Sequence, residues 1–412
     1  MNRTLMMVLA GGRGTRMMPL TQDRTKPAVP FAGRYRLIDF VLSNLVNSGF
    51  YRVVVLTQYK SQSLSQHISR AWRLARPLDH FVEPVPAQQR TGLGWYRGSA
   101  DAIFQNLNLI DDADPTDVGV FGADHVYKMD VSQMLRLHRK RGAELTIAAI
   151  PVPVAEAHQF GIMEVDANWR VRGFVEKPTH PPTIPGRPDW CLASMGNYFF
   201  TRMALEHQVR TDALREPSDH DFGRDIIPTM LSEGRAIFAY DFSQNHVPGQ
   251  QERERGYWRD VGSVGSYFEA SMDLVSVLPV LDLYNRQWPI RTDYHQLAPA
   301  KFVHDDLASN RVGSAVESLV SEGTIVSGGM VYRSILSPLV RVRSYSRVES
   351  SILFEGVEVG RNAQLFRTIL DKNVVVEPGA RVGFDHDHDR ARGLTVTEEG
   401  IAVAPKGLRI QP

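Results

Sequence analysis

Residues 8–27, VLAGGRGTRMMPLTQDRTKP, gather the groups best suited to hold a polyphosphate. An apolar run at 8–10 would end inside a sheet. Gly11, Gly12 and Gly14 would then let the backbone turn sharply and come close to a bound group. Successive amide N–H groups in such a turn form a concave anion site. Arg13, Arg16 and Lys26 add fixed positive charge, which suits a triphosphate or pyrophosphate. The commoner phosphate loops do not fit: a Walker A loop needs Gly-Lys-Ser/Thr, and a Rossmann fingerprint needs glycine where Met17 stands.

Carboxylates and one further lysine extend the pattern. Asp124 follows the apolar run 118–121, at the carboxyl end of an expected strand. There it reads either as a Mg²⁺ ligand beside a triphosphate or as a helix N-cap. Asp260, in Trp-Arg-Asp, is a second carboxylate on a distant loop. Lys177 precedes Pro178 on a hairpin, where a lysine is ordinarily just solvated. His125 has no serine or cysteine spaced to complete a triad. The run Asp385-His386-Asp387-His388-Asp389 reads as a solvated charged loop rather than a metal site. Trp72, near Arg70 and Arg73, reads as half-buried helix surface.

The elements that must position these groups follow from periodicity. Leu37, Phe40, Val41 and Leu45 share a helical face, and Gly49 offers a stop. Residues 52–59 are a β-branched run of the kind buried in a parallel sheet. A polar helix over 61–76 follows, and strand and helix alternate again through 101–110, 117–122, 131–141 and 145–150. This order predicts a doubly wound α/β domain with ligands beyond the carboxyl ends of its strands. Residues 160–178 read as a hairpin turning at Asp166-Ala167-Asn168. A proline-rich loop (177–190), a strand (195–200), a helix (221–231) and a loop feeding a helix (257–275) come next. The stretch 279–299 has prolines and no steady period. The expected organisation is a first domain over 1–280, a linker over 281–305 and a second domain over 306–412.

That second domain carries a repeat. Ile325, Val342, Val359 and Val376 stand 17 residues apart, as do Val331, Val348, Leu365 and Val382. The triplets Ser334-Ile335-Leu336, Ser351-Ile352-Leu353 and Thr368-Ile369-Leu370 keep the same interval. Three short strands per turn, each with an apolar side chain inward, make a three-sided parallel β-helix. A β-sandwich would give no reason for a fixed interval.

Length and composition agree. A chain of 412 residues exceeds one compact core, so two domains are expected. A net charge of +1 gives no reason to expect nucleic acid or an acidic membrane as partner. Cys191, the only cysteine, excludes an intrachain disulfide, fits a reducing cytoplasm and reads as a small buried hydrophobe. No apolar run reaches membrane-spanning length, and the run 5–10 is too short for a signal-peptide core.

The glycine-rich loop resembles the signature of the sugar-1-phosphate nucleotidyltransferases, GGxGTRLxPLTxxxxKP, with Met17 in the leucine position. WYRGSADAIFQN (95–106), GADHVYKMD (122–130), FGIMEVD (160–166), FVEKP (174–178), SMGNYFF (194–200), DFGRDIIP (221–228), YWRDVGS (257–263) and WPIRT (288–292) extend the likeness in order. Together they resemble the bacterial glucose-1-phosphate adenylyltransferases, the ADP-glucose pyrophosphorylases of glycogen synthesis. The resemblance implies that ATP and glucose 1-phosphate give ADP-glucose and pyrophosphate. It implies a doubly wound nucleotidyltransferase domain followed by a left-handed parallel β-helix. It assigns Gly11, Gly12, Arg13, Gly14, Thr15, Gln88 and Tyr96 to the nucleotide, and Arg16, Lys26 and Asp124 to catalysis. Asp124 and Asp260 would hold Mg²⁺. Lys177 would neutralise the sugar phosphate and Glu176 accept sugar hydroxyls, with Gly161, Ser194, Tyr198, Asp221, Phe222 and Trp258 around glucose 1-phosphate. It further implies a cytoplasmic homotetramer with sugar-phosphate or nucleotide effectors, Arg34 and Arg36 in the effector segment and Arg390 and Arg392 supplying the rest. Some members carry arginine just before Glu-Glu-Gly; Val396-Thr397 stand here, so the activator is open. A relative using UTP or dTTP, or a non-catalytic regulatory subunit, would share much of this pattern. Intact Arg16, Asp124, Lys177 and Asp260 speak for catalysis.

Overall fold

The computed structural model describes residues 3–88, 94–306 and 311–412. Its first layer is built around the strand Thr4–Ala10. Met6, Val8 and Ala10 face one core with the helices Leu37–Asn47, Gln62–Ala71 and Val131–Arg141. Leu5 and Met7 face the other, with Ser99–Phe104, Leu107–Ala113 and Arg202–Ala213. Side chains of a strand alternate between faces, so a strand covered on both sides must be apolar throughout.

Nine strands form this sheet. Val171–Glu176, Gly161–Val165, Trp190–Thr201, Asp117–Gly122, Thr4–Ala10, Arg52–Thr57 and Phe81–Pro86 lie in that order. Leu145–Pro153 also pairs with Trp190–Thr201 and carries Ile237–Asp241 on its other edge. Thr4–Ala10 runs parallel to Arg52–Thr57 and Asp117–Gly122, with Ala10 opposite Thr57 and Leu9 opposite Gly122. The loops leaving these three strands therefore share one edge. Trp190–Thr201 is antiparallel to both Asp117–Gly122 and Leu145–Pro153, so the doubly wound layer is a mixed sheet. The chain reaches that strand through the proline-rich segment rather than a crossover helix, so it re-enters from the opposite end.

Local expectations are met with some corrections. The hairpin turns where its sequence predicts, because Asp166 Oδ1 accepts from Asn168 N–H at 2.8 Å and Arg170 N–H at 3.1 Å. The helix expected over 221–231 begins as a π-turn, Phe222–Ile226, before the α-helix Ile227–Ser232. Pro228 has no N–H to bond back a turn, and the wider turn accommodates it. Trp72 is buried rather than half-buried, and its indole N–H donates to Asp39 Oδ1 at 3.0 Å. The face 37/40/41/45 divides: Val41 and Leu45 enter the sheet core, while Leu37 and Phe40 pack toward the second domain. Cys191 is buried. Among the described residues no helix is long and apolar enough to cross a membrane.

The second domain is a three-sided, left-handed parallel β-helix. Its sides are stacked from short strands such as Arg341–Val342, Arg347–Glu349 and Ile352–Leu353, each hydrogen-bonded to its equivalent one coil on. The first strand of one side is Lys301–Asp306, paired with Ile325–Ser327. Val342, Val359, Val376, Val331, Val348, Leu365 and Val382 all fill the interior. Ile325 does not: Val326 stands opposite Val342 and is buried, while Ile325 opposes Arg341 and is half-buried. The first coil is one residue shorter than those after it, which shifts the register at that strand. Corners recur too. Arg333, Ser350 and Arg367 turn the same corner in successive coils with φ of 46°, 46° and 51°. Those left-handed positions are not glycine, so composition gives no warning of them.

The triplets do more than expected. Leu336, Leu353 and Leu370 point into the coil, whereas Ile335, Ile352 and Ile369 point outward. The outward row packs against Phe31, Tyr267 and Phe268 of the first domain. Arg24 and Asp371 close the same junction with two 2.9 Å hydrogen bonds, their side chains 5 % and 3 % exposed. The charged run 385–389 is not a loop. Asp385 caps the helix His386–Ala391 by accepting from Asp387 and His388 N–H, and buried Asp389 pairs with Arg392 at 2.7 Å. Among the described residues, no three His, Cys, Asp or Glu side chains group to hold a metal.

Candidate active site

The loop after Thr4–Ala10 turns at Gly14, whose φ is 62°. Its carbonyl accepts from Thr21 Oγ1 at 2.8 Å, and a Cβ there would lie 3.0 Å from Lys26 Cβ. Gly12 is the open position: a Cβ would meet no protein atom within 4 Å. The next turn, Thr15–Met17, is anchored by buried Met17 and leaves Arg16 exposed. Gly12, Gly14, Thr15, Arg16, Lys26, Asp124 and Gly262 line one cavity. Arg13 is exposed and does not line it.

Lys26 is the centre of the charge arrangement. Its side chain is 10 % exposed, with Nζ 2.7 Å from Asp124 Oδ2 and 3.2 Å from Asp260 Oδ1. A two-stranded ladder brings the carboxylates together. Trp258–Asp260 runs antiparallel to His125–Tyr127, with Asp260 opposite His125 and hence beside Asp124. Burial alone would lower the Lys26 pKa, but Asp124 and Asp260 outweigh it and raise it, so the ammonium persists through neutral pH. Burial pushes Asp124 up, yet Lys26 and then His125 pull it down to about 2. Asp124 is therefore ionised at any working pH. Two carboxylates match the share that Mg²⁺ takes from protein when phosphate and water complete its shell.

A second cavity opens beside this ladder, lined by Arg16, His125, Gly161, Glu176, Lys177, Ser194, Tyr198, Asp221, Phe222, Trp258 and Asp260. A Cβ on Gly161 would fall 2.4 Å from Phe174 Cζ and 2.7 Å from Glu176 Oε2, so a larger residue there would push the Phe174 ring or the Glu176 carboxylate aside. Burial, and then Asp221, raises the Glu176 pKa. Lys177 extends outward, 52 % exposed and 4.0 Å from Glu176 Oε1. Asp221 accepts from Gly223 and Arg224 N–H and from Ser99 Oγ. The Tyr198 hydroxyl is held neutral by burial. His125 is a wall residue here, packed against Trp258 with ring centres 5.1 Å apart and the planes tilted by 53°. Only the ladder pairing reveals it.

A third cavity adjoins both, lined by Leu9, Gly11, Gly12, Leu56, Gln58, Tyr96, Gly98, Ser99 and Ala102. Tyr96 N–H donates to Gln58 Oε1 at 2.8 Å, and its hydroxyl accepts from Asn106 at 2.9 Å. Sequence reasoning missed Gln58 and Ser99, which sit in ordinary-looking polar contexts. Gln88 is exposed just past Phe81–Pro86 and lines none of these cavities. Residues 89–93, which follow it, lie outside the described residues.

Arg34 and Arg36 stand elsewhere, in a cleft between the domains that also contains Arg24, Arg70, Lys372 and Lys406. Arg34 lies 3.4 Å from Glu322 and over the Tyr294 ring. Arg36 donates to Ser63 O and Oγ, and burial lowers its pKa. The structure does not bring Arg390 and Arg392 there. Arg390 pairs with Asp387 and Arg392 with Asp389 and the Arg381 and Gln411 carbonyls. The cleft's C-terminal cations are instead Lys372 and Lys406, each standing just beyond a strand of the β-helix.

The site thus joins a cationic turn, a lysine between two carboxylates and two polar hollows on one sheet edge. The sequence profile of the Nucleotidyl transferase family matches residues 5–277, and that of the GlmU-like C-terminal hexapeptide family matches 298–404. The chain is 55 % identical over 413 residues to the glucose-1-phosphate adenylyltransferase of Anaeromyxobacter sp. (strain Fw109-5), covering all of both chains. It is 52 % identical over 410 residues to that of Deinococcus radiodurans and 54 % identical over 408 residues to that of Thermus thermophilus, each alignment covering 98 % of both chains.

Proposed function

Since the chain belongs to the glucose-1-phosphate adenylyltransferases, a group of nucleotidyltransferases, we propose the following working of its site. ATP lies along the glycine-rich turn with its base toward Tyr96 and Gln58. Glucose 1-phosphate occupies the hollow of Glu176, Tyr198 and Asp221, its phosphate toward Lys177. A phosphate oxygen attacks the α-phosphorus of ATP and pyrophosphate leaves on the opposite side. The attacking phosphate is already an anion at neutral pH, so His125 need not act as a base. The protein's task is to align two anions that repel and to offset the charge of the transition state.

Arg16 and the backbone amides of the turn screen the departing pyrophosphate. Lys26 carries a charge held in place by two carboxylates, ready for a phosphate oxygen. Asp124 and Asp260 are the residues that would hold a divalent metal, Mg²⁺ in this reading, which would supply positive charge to offset that of the phosphates. The observation that most supports the assignment is the ladder pairing Asp260 with His125, because it sets both carboxylates and Lys26 where the two hollows meet. Transfer of an α-phosphorus label from ATP into ADP-glucose tests it. The adenylyl group in the relatives' name favours ATP over UTP or dTTP as donor.

This reading extends to regulation and assembly. The first domain ends near the expected 280, while the second begins with the strand Lys301–Asp306 rather than at 306, which shortens the linker expected over 281–305. The chain works as a cytoplasmic homotetramer, which sedimentation would read directly. The cleft of Arg34 and Arg36 receives an anionic effector, a sugar phosphate or nucleotide. Arg34→Ala is then expected to keep the basal rate but lose stimulation by whichever such anion activates the wild type. Loss of basal turnover with stimulation intact would place Arg34 in the catalytic site instead.

A further inference from the structure

The nucleotide hollow and the sugar hollow are distinct, yet the side chain of Ser99 borders both. Its hydroxyl donates to Asp221 Oδ2 at 2.8 Å and accepts from Phe222 N–H at 3.0 Å. Asp221 and Phe222 belong to the sugar side. Ser99 begins the helix Ser99–Phe104, and the loop leading into it carries Tyr96 on the nucleotide side.

A backbone seam runs beside this tie. Ala100 N–H donates to His220 O at 2.8 Å. Gly98 approaches so closely that a Cβ there would lie 2.3 Å from the carbonyl oxygens of both Asp219 and His220. The segment 218–220 is fixed from behind by Asp212, which accepts from Ser218 Oγ at 2.7 Å and pairs with His220 Nδ1 at 2.7 Å. Buried His220, with φ of 51°, cannot drift without breaking that pair. The two hollows therefore share one braced wall, and Ser99 is the side chain that fastens its halves.

We infer that Ser99 is a positioning residue, setting the nucleotide and sugar-phosphate pockets in register through Asp221 and Phe222. The inference rests on the substrate assignment above. Its hydroxyl proton is committed to Asp221, so its effect does not require contact with substrate. In-line transfer depends on the relative placement of two bound anions, and a misplacement of about 1 Å costs roughly a hundredfold in rate. A residue that fixes only relative placement acts on kcat, whereas one that holds a single substrate acts on that substrate's KM.

Ser99→Ala is expected to lower kcat about ten- to a hundredfold, with both KM values within about threefold and a melting temperature lowered by about a few degrees at most, because the Phe222 N–H loses its partner. Ser99→Thr keeps the hydroxyl and should restore most of the rate. Gly98→Ala, which forces the seam apart, should reproduce the kcat loss. An unaltered kcat in Ser99→Ala, a defect confined to one KM, or failure of Ser99→Thr to recover would each overturn the inference. A wild type that makes no ADP-glucose would overturn the substrate assignment and this inference with it. An active wild type beside an unaffected Ser99→Ala would overturn this inference alone.

Discussion

Asp124→Asn is expected to lower kcat about a hundred- to a thousandfold, the loss typical of one preorganised electrostatic group. The substitution keeps shape and one oxygen but removes the charge. Lys26 retains Asp260 at 3.2 Å as a partner, so the buried ammonium is not stranded and the melting temperature should change little. KM should move less than kcat, because the charge it offsets grows only as the two phosphates approach. Asp260→Asn should behave alike. The double variant should be far less than multiplicatively worse, since both carboxylates pair with the same lysine and, in the proposed mechanism, would hold the same metal. Near-normal turnover of either single variant at saturating Mg²⁺ would remove the pair from the mechanism.

Lys177→Ala should raise the KM for glucose 1-phosphate about ten- to a hundredfold, the worth of one charge-assisted phosphate contact. The KM for ATP should barely change, because Lys177 lines the cavity proposed for the sugar phosphate and not the one proposed for the nucleotide. The side chain is half exposed and spans no core, so its removal leaves packing intact. Its backbone is left-handed, with φ of 51°, but alanine bears the same cost there as lysine, so strain does not confuse the comparison. Equal weakening of both substrates would make Lys177 structural.

What the sequence could carry was set by how local each signal was. The glycine-rich turn and Lys26 stand in one short run whose affinity for phosphate can be read from neighbours, whereas Glu176, Lys177 and Asp221 stand out only through the family resemblance. The three-sided coil was legible because 17-residue spacing leaves few alternatives. The first coil breaks that spacing by one residue, so Val326 and not Ile325 holds the inward position. The outward row Ile335, Ile352 and Ile369 was invisible as an interface, since an apolar residue carries no sign of which body will cover it. The same limit applied to pairings across the chain. Nothing near residue 99 announces Asp221, nothing near Arg24 announces Asp371, and His125 becomes a wall residue only once Trp258 folds beside it. The resemblance implies that Arg390 and Arg392 complete the effector segment of Arg34 and Arg36. The short capped helix spends them on Asp387 and Asp389, and Lys372 and Lys406 face the cleft instead.

The most direct test follows the α-phosphorus. The full-length protein is incubated with Mg²⁺, glucose 1-phosphate and ATP labelled at that atom, and products are separated at several times. The label should pass into ADP-glucose, with pyrophosphate released mole for mole, only when glucose 1-phosphate is present, and UTP or dTTP should replace ATP poorly. Label appearing in AMP or ADP without the sugar phosphate, or faster transfer from UTP or dTTP, would contradict the account.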